Sequence, residues 1–463
     1  MARRPRRVLG SMSPAASTPA PADASEERSR ARRAVIASTV GTAIEWYDFY
    51  VYGLIAALVF NKQFFPQFDP FAGLLLSFST FFVGFAARPL GAVIFGHLGD
   101  RWGRKSTLVA TLLLMGGSTV LVGVVPGYSS IGVWGAVALT VLRAIQGVGT
   151  GGEWGGAVLV ATEWSRFQRR RGFIGAWPQW GSPVGLILAT GAVSIFSAAA
   201  GPSGFLTWGW RIPFLLSGVL IAVGLYIRLG LSETQLFANL HVRSAVERLP
   251  VLSVLRTNWR EVVLTCLARM CQHASFYVFT TFMLAYGTGT LALPRGFLLG
   301  AQIAGAALSL FTCLFFGALS DRVGRKRLYL VGIVAMFVFS IPYVLGLESR
   351  WLPLVGVAIV ISLVIGDVQY GPQAALIAEN FPTRVRYSGA SLGYQLSSLT
   401  SAGPATLVAA TLTHVFGGGI AVGVYLMVLC VIAFAATLPL RDGTRAEIDP
   451  RAAAEPAAEP AAP

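Results

Sequence analysis

GHLGDRWGRKSTL, residues 96–108, recurs with little change as GALSDRVGRKRLYL at residues 317–330. Gly, Asp-Arg and Gly-Arg-Lys keep the same offsets in both copies, which chance rarely yields, so the chain carries an internal repeat. Each copy is short, polar and basic, and each follows a long apolar run. Gly96 and Gly103 permit close approach and a tight turn, while Arg101, Arg104 and Lys105 suit a loop held at an anionic membrane face.

The apolar runs set the class. With 54% hydrophobic and 12% charged residues in 463, the chain is too apolar for a set of soluble domains. A membrane-crossing helix needs about 20 mostly apolar residues. Twelve such segments can be placed, near 34–60, 72–98, 105–125, 131–161, 172–199, 211–231, 259–287, 296–319, 328–346, 352–378, 387–413 and 417–440. The repeat follows the second and the eighth. A weaker echo links TEWSRFQRRRG after the fourth with AENFPTRVRYSG after the tenth. The longest internal polar stretch, 232–258, divides the spans into two sets of six. The expected architecture is an all-α membrane protein with a six-helix bundle at 34–231, a cytosolic linker at 232–258 and a second bundle at 259–440. Parallel repeats imply a two-fold axis along the membrane normal, with a site between the halves near the midplane. Residues 1–33, which are basic, and 441–463, rich in Ala and Pro, are expected to be disordered cytosolic tails.

A formal charge of +15 raises nucleic acid as a partner, but the positions of the basic residues exclude it. With a cytosolic N-terminus, 29 of the 36 Lys and Arg fall in cytosolic segments. Lys62, Arg211, Arg295 and Arg350 lie outside or at that border, and Arg88, Arg143 and Arg269 lie within spans. This asymmetry follows the positive-inside rule and puts both termini in the cytosol. MARRPRRVLG opens like a signal peptide but lacks the apolar core that should follow. Cys266, Cys271, Cys313 and Cys430 all fall in spans, without Cys-x-x-Cys or zinc-ligand spacing, and read as packing residues with no metal. No ATP-binding loop, cofactor motif or spaced nucleophile and base is visible, so an enzyme is not expected. GVGTGG, 147–152, matches a dinucleotide fingerprint, but it sits inside an apolar helix, where small residues serve close packing.

Depth follows from a rise of about 1.5 Å per residue. Glu45 and Asp48 lie near the middle of the first span, one turn apart on one face, and Arg88 and Arg269 are comparably deep. In the fourth span Arg143, Gln146, Thr150 and Glu153 share one face. An ionised side chain at the bilayer centre costs about 2.5–3.5 kcal/mol on insertion scales, so several of them need a reason. Mutual pairing, such as Arg143 with Glu153 or Asp48 with Arg88, is one. A polar cavity for a charged solute explains the whole set better. In that reading Asp48, Glu45, Glu153 and Asp367 are candidate proton carriers, and Arg88, Arg143 and Arg269 would ligand a carboxylate. A carboxylate in a poorly solvated cavity can take up a proton while an adjacent Arg opposes it, so protonation frees the Arg to hold an anionic substrate. Gln146, Gln179, Gln272, His273, Tyr277, Gln302, Tyr370, Gln373, Tyr394 and Gln395 could complete the pocket. For His273 a satisfied interhelical hydrogen bond is expected rather than a proton relay.

GTAIEWYDFYVYG (41–53), FAARPLGAVIFGHLGDRWGRK (85–105), RAIQGVGTGGEWGGA (143–157), WGWRIPFLLS (208–217), SDRVGRK (320–326) and GPQAALIAENFPTRVRYSGASLGYQ (371–395) together carry a resemblance. Over nearly all of 34–440 the chain resembles the metabolite:proton symporter group of the major facilitator superfamily, which includes shikimate, proline/betaine, citrate and 2-oxoglutarate permeases. GAWPQWGSPVGLIL (175–188) looks closer to the shikimate branch, and the Ala/Pro tail lacks the heptads of some osmosensory betaine carriers. The resemblance implies a multi-pass bacterial inner-membrane transporter that acts as a monomer. It would import a small polar metabolite, an organic acid such as shikimate or a related carboxylate, by proton symport through alternating access. A zwitterion importer, a proton-coupled exporter and a transport-inactive sensor are the alternatives. It also implies that Asp100 and its neighbours Gly96, Arg101, Gly103, Arg104 and Lys105, repeated as Asp321, Arg322, Gly324 and Arg325, latch the halves on the cytosolic side.

Overall fold

The computed structural model describes residues 24–102, 104–151, 171–229, 254, 256–382 and 386–445. Side chains are described from residue 39 onward, apart from those at 96, 97, 99–105, 108, 228, 229, 387 and 445. A helix stands at each of the twelve expected spans. They are α1 (Ala24–Ile55), α2 (Pro70–Trp102), α3 (Arg104–Val124), α4 (Val133–Gly151), α5 (Arg171–Gly204), α6 (Arg211–Leu229), α7 (Trp259–Tyr277), α8 (Arg295–Val323), α9 (Arg325–Glu348), α10 (Leu352–Glu379), α11 (Arg386–Ser397) and α12 (Ile420–Thr437). Among the described residues nine helices are long and apolar enough to cross a membrane unaided, and Val109–Val124 and Arg211–Ile227 are apolar but shorter.

Two expected tail boundaries shift. α1 begins at Ala24, not at residue 34, because the Ala, Glu and Arg preceding the apolar run are themselves strong helix formers. At the other end the chain continues in a defined path to a 3-10 turn at Gly443–Arg445, fixed by the contacts described below.

The repeat is visible in which helices touch. Within the first half α1 packs on α5 and α6, α2 on α4, and α3 on α4 and α6; adding six to each number gives the packing of the second half. Between halves, α5 packs along α8, and α2 along α11 and its continuation Gly403–Phe416, which is again one contact seen twice. Single π-turns interrupt or end the symmetry-related rods: Ala56–Phe60 after α1, Val278–Phe282 after α7, Phe205–Gly209 after α5 and Ser398–Ala402 after α11. Two of the four, after α5 and within the α11 rod, belong to helices that meet between the halves.

α2 and α4 approach closely enough that a Cβ built on Gly147 would lie 2.1 Å from the Gly84 carbonyl oxygen. The glycine-rich run of α4 therefore serves helix packing over its described part, as its place in an apolar helix suggested.

Candidate functional site

α1 brings its polar face to the centre of the first half. Asp48 is fully buried and accepts a hydrogen bond from Ser217 of α6 at 2.6 Å, and the hydroxyl of the preceding residue, Tyr47, donates to the Pro213 carbonyl of the same helix at 2.7 Å. Glu45, a turn earlier, is buried as well. Next to Asp48, Phe49 is the hub of the cluster. The guanidinium groups of Arg88 on α2 and Arg143 on α4 each lie 4.0 Å from the centre of its ring. Arg143 also lies over Tyr52 at 4.2 Å, and Arg88 over Phe85 at 4.9 Å. Desolvated cation–π contacts of this kind are each worth about 2 kcal/mol. They hold the two cations over ring surfaces without using all of their N–H donors. Arg143 Nη1 donates to Gln146, which is anchored to Thr119 of α3 at 2.8 Å, so Gln146 braces the arginine. Arg88 Nε and Arg143 Nε and Nη2 are buried without a hydrogen-bond partner among the described residues.

The second half builds a comparable cluster around Arg269 of α7. Its guanidinium lies 3.2 Å from the centre of the Tyr394 ring, and its Nε donates to Gln373 of α10 at 2.9 Å. Gln373 in turn donates to Gln272 at 3.3 Å and to the Tyr329 hydroxyl at 3.1 Å. Arg269 Nη2 and the Tyr277 hydroxyl are left without partners among the described residues. His273 sits between the rings of Tyr277 and Tyr394, 6.0 and 5.8 Å away, and neither imidazole nitrogen has a hydrogen-bond partner there. The expected satisfied hydrogen bond is therefore not found: its neighbours offer ring faces where an oxygen would be needed.

Aromatic rings join the two clusters. Tyr277 packs edge-on against Phe85 at 5.1 Å, and Phe276 packs on Tyr50 at 5.4 Å. Tyr50 then meets Ser182 of α5 at 2.5 Å. The tripeptide Phe-Tyr-Val recurs at 49–51 in α1 and at 276–278 where α7 runs into its π-turn, so symmetry-related helices carry the same two rings. Gln179 and Tyr370 are buried, the Gln179 Nε2 without a partner among the described residues, and Gln395 reaches across to the Gly151 carbonyl at 3.4 Å. Gln302 spends its amide nitrogen on the Thr280 carbonyl at 2.7 Å. Asp367 stands apart from the arginines and accepts hydrogen bonds from Ser309, at 2.5 Å, and Thr312 of α8. Glu153 lies outside the described residues. None of the ion pairs formed among the described residues involves Arg88, Arg143 or Arg269.

At the end carrying the repeat loops, Asp321 closes α8 onto α5. Its two carboxylate oxygens accept the backbone N–H groups of Gly172 (2.7 Å) and Phe173 (3.0 Å), capping a helix of the other half where its dipole favours negative charge. Arg325 pairs with Asp321 at 3.0 Å and with Glu379 of α10, and Arg171 of α5 approaches Glu379 at 3.8 Å. Gly324, at φ 108°, makes the turn that lets Asp321 and Arg325 face each other. Arg322 is exposed and takes no part in these pairs. Of the first copy, Gly103 lies outside the described residues, and Gly96, Asp100, Arg101, Arg104 and Lys105 are described as helix backbone only. Glu379 and Arg171 were not singled out from the sequence, although Glu379 and Glu163 fall at matching places in the weaker echo.

A strap after α12 holds this corner. The Asn380 side chain and the Arg441 backbone exchange two hydrogen bonds, 2.9 and 3.2 Å, and Thr444 accepts the Arg325 N–H at 3.1 Å. Burial opposes the charge of Asp442, but hydrogen bonds from Thr444 and the Lys326 backbone, with Arg325 near, hold its carboxyl below the usual carboxylate range. At the opposite end the halves meet through Phe71 stacked on His414 at 3.7 Å and Arg295 over Phe205 at 5.1 Å. Contacts between the halves among the described residues thus flank the central cluster at both ends.

The sequence profile described as Major Facilitator Superfamily matches residues 38–405. The chain is 40% identical over 424 residues to the shikimate transporter of Escherichia coli (strain K12), covering 90% of this chain and 96% of that protein. It is 34% identical over 442 residues to the proline/betaine transporter of the same organism, covering 92% and 88%. Among solved structures, a D-xylose-proton symporter superposes with a TM-score of 0.67 at 17% identity, covering 89% of this chain and 98% of that one. A partially occluded inward-open form of the xylose transporter XylE from E. coli gives 0.69 at 16%, covering 89% and 97%. Those two likenesses concern the fold. By its profile match and its close relatives, this chain belongs to the Major Facilitator Superfamily of membrane transporters.

Proposed function

We propose that the protein imports a small organic acid, shikimate or a related carboxylate, together with protons, by alternating access. One observation carries the reading: three fully buried guanidinium groups, Arg88, Arg143 and Arg269, lie over aromatic rings in two clusters, one in each half, with N–H groups unpartnered among the described residues. Buried cations held this way suit a carboxylate that arrives and leaves, because the rings stabilise them when no anion is bound. Tyr277, His273, Gln179, Gln272, Tyr370, Gln373, Tyr394 and Gln395 would read the rest of the solute, and Gln146 would keep Arg143 in place. Asp48, beside the ring that both Arg88 and Arg143 contact, is the leading proton carrier, with Glu45 and Glu153 as further candidates.

The Asp321 cap on α5, with Arg325, Glu379 and Arg171, would be the cytosolic latch that opens in the inward-facing state. In this reading both termini are cytosolic, residues 34–231 and 259–440 rock against each other with 232–258 as the cytosolic linker between them, and the monomer is the working unit in a bacterial inner membrane. The likeness to a proline/betaine transporter supports a second reading, import of a zwitterion, since Asp48 lies beside the arginines. Radiolabelled shikimate in proteoliposomes tests the first: uptake driven by an inward proton gradient, and abolished by a protonophore, is the expected result. Uptake of betaine but not shikimate would favour the second, and uptake indifferent to the gradient would remove proton coupling.

A further inference from the structure

We propose that the groove between α3 and α4, at the end of the molecule away from the repeat loops, holds an acyl chain of a phospholipid, with the lipid phosphate at Arg211 and Lys62. The groove measures about 610 Å³, inside the range of roughly 300–1,000 Å³ usual for ligand sites, and every residue lining it is apolar. Leu121 and Val124 form its α3 wall, Val137, Val141 and Leu142 its α4 wall, and Trp134 stands 70% exposed at its end. A Trp there suits the boundary between hydrocarbon and headgroups. The groove also breaks the two-fold pattern. Residues 125–132, with the short helix Tyr128–Ile131, join α3 to α4, whereas residues 349–351 alone join the equivalent α9 to α10. The longer joint folds back on α4, where Gly135 leaves room for it: a Cβ built there would lie 2.7 Å from the Pro126 carbonyl oxygen.

Two cations stand at this joint. Arg211 of α6 donates from Nη1 to the carbonyls of Gly123 (3.1 Å) and Val125 (2.7 Å), the latter a residue of the groove. Lys62 is exposed beside Gln63, whose Oε1 would lie 3.0 Å from a Cβ built on Gly127. Residues 125–132 carry no charge, and Asp69 is engaged in capping α2 at the Phe71 and Ala72 N–H groups, 3.0 and 3.1 Å away. A phosphate complements these cations, and its acyl chain fills the apolar groove below them. A second copy docked here about a two-fold axis would instead set like charges against each other. The groove backs onto the arginine-lined site: Leu142 precedes Arg143, and Leu121 lies two residues beyond Thr119, the anchor of Gln146. A chain in the groove therefore steadies the α3–α4 pair that braces Arg143. Only that coupling to solute rests on the transporter reading.

The test reconstitutes the purified full chain in phosphatidylethanolamine and phosphatidylglycerol vesicles doped with a phosphatidylglycerol that carries a diazirine in its acyl chain. Photolysis should concentrate adducts on residues 121–142, above those on exposed apolar side chains elsewhere such as Phe311 and Phe315 of α8. Val137→Trp, which fills the groove, should lose this excess, and Val141→Phe takes its place if that variant does not fold. A diazirine-bearing diacylglycerol, which lacks the phosphate, should label the groove less, and equal labelling would remove the phosphate from the site. Adducts spread evenly over the exposed apolar faces would overturn the proposal, as would a lipid-free dimer cross-linked through the groove. Delipidated wild type should bind shikimate more weakly than the same protein with phospholipid restored, while Val137→Trp binds it equally in both. Equal affinity in the wild type would remove the coupling to Arg143. Absence of any shikimate binding would sink the transporter reading and leave the adducts unchanged, so the two fail separately.

Discussion

Asp321 at the end of α8 caps the first turn of α5 in the opposite half, its Oδ1 2.7 Å from the Gly172 amide nitrogen. In the proposed alternating-access cycle, a side chain that satisfies orphan N–H groups across the interface of the halves is a contact that opening must break. Asp321→Ala should therefore shift the population toward the open cytosolic side, since removing a cap costs about 0.5–2 kcal/mol. A cysteine at Ala176, which packs against Gly317, should react faster with an impermeant maleimide from the cytosolic face in the Asp321→Ala background. Equal rates would show that the cap does not hold the gate.

Arg143 and Arg269 lie over aromatic rings, so in the proposed site they would act through ring contact as well as charge. Lysine at either position keeps the charge and loses the fork and the ring contact. Affinity for a carboxylate solute should fall about 10-fold or more, from the loss of roughly 1.4 kcal/mol or more of stacking and hydrogen bonding. Binding measured by calorimetry on purified Arg143→Lys checks this, and unchanged affinity would remove Arg143 from the site.

Gly84 keeps space for that same side chain: a Cβ built there would lie 2.5 Å from Arg143 Nε. Gly84→Ala should displace the guanidinium from Phe49 and weaken solute binding without replacing any polar side chain. Thermal unfolding with and without solute separates this from a general packing defect, because the ligand-dependent stabilisation should shrink more than the unliganded midpoint.

Asp48→Asn removes a carrier of charge at nearly constant shape. Gradient-driven accumulation should vanish while exchange of labelled for unlabelled solute remains measurable. Accumulation at the wild-type level would take proton coupling away from Asp48.

Asp442 gives a pH signature outside the membrane. Its carboxyl is held below the usual range in the folded chain, so the stability it contributes is full above about pH 4, where the unfolded carboxyl is ionised. That contribution is lost as pH falls through the lower folded value. The difference in melting temperature between wild type and Asp442→Asn should be largest near neutrality and close as the solution is acidified below the carboxylate range. A constant difference would mean that the strap is held by its backbone contacts alone.

The sequence exposed the twelve helices and the deep charges because both rest on strong periodic signals: a polar residue in a long apolar run has few bland explanations. Asp321 and Arg325 were legible because their motif occurs twice. Glu379 and Arg171 were not, since each looks like an ordinary loop-border charge until α10 and α5 are brought together. Phe49 was hidden for the opposite reason: an aromatic residue in a membrane helix reads as lipid-facing or core, and only the convergence of Arg88 and Arg143 makes it a platform. The strap at 438–445 was masked by the composition of the tail beyond it, and its order comes from Asn380 and the start of α9, far away in sequence.

The central claim, that solute and proton enter together, is tested most directly by the external pH of a lightly buffered suspension of de-energised cells expressing the protein, recorded as shikimate is added. Symport predicts alkalinisation that control cells and Asp48→Asn cells do not show. Entry of labelled shikimate with no change in external pH would contradict it.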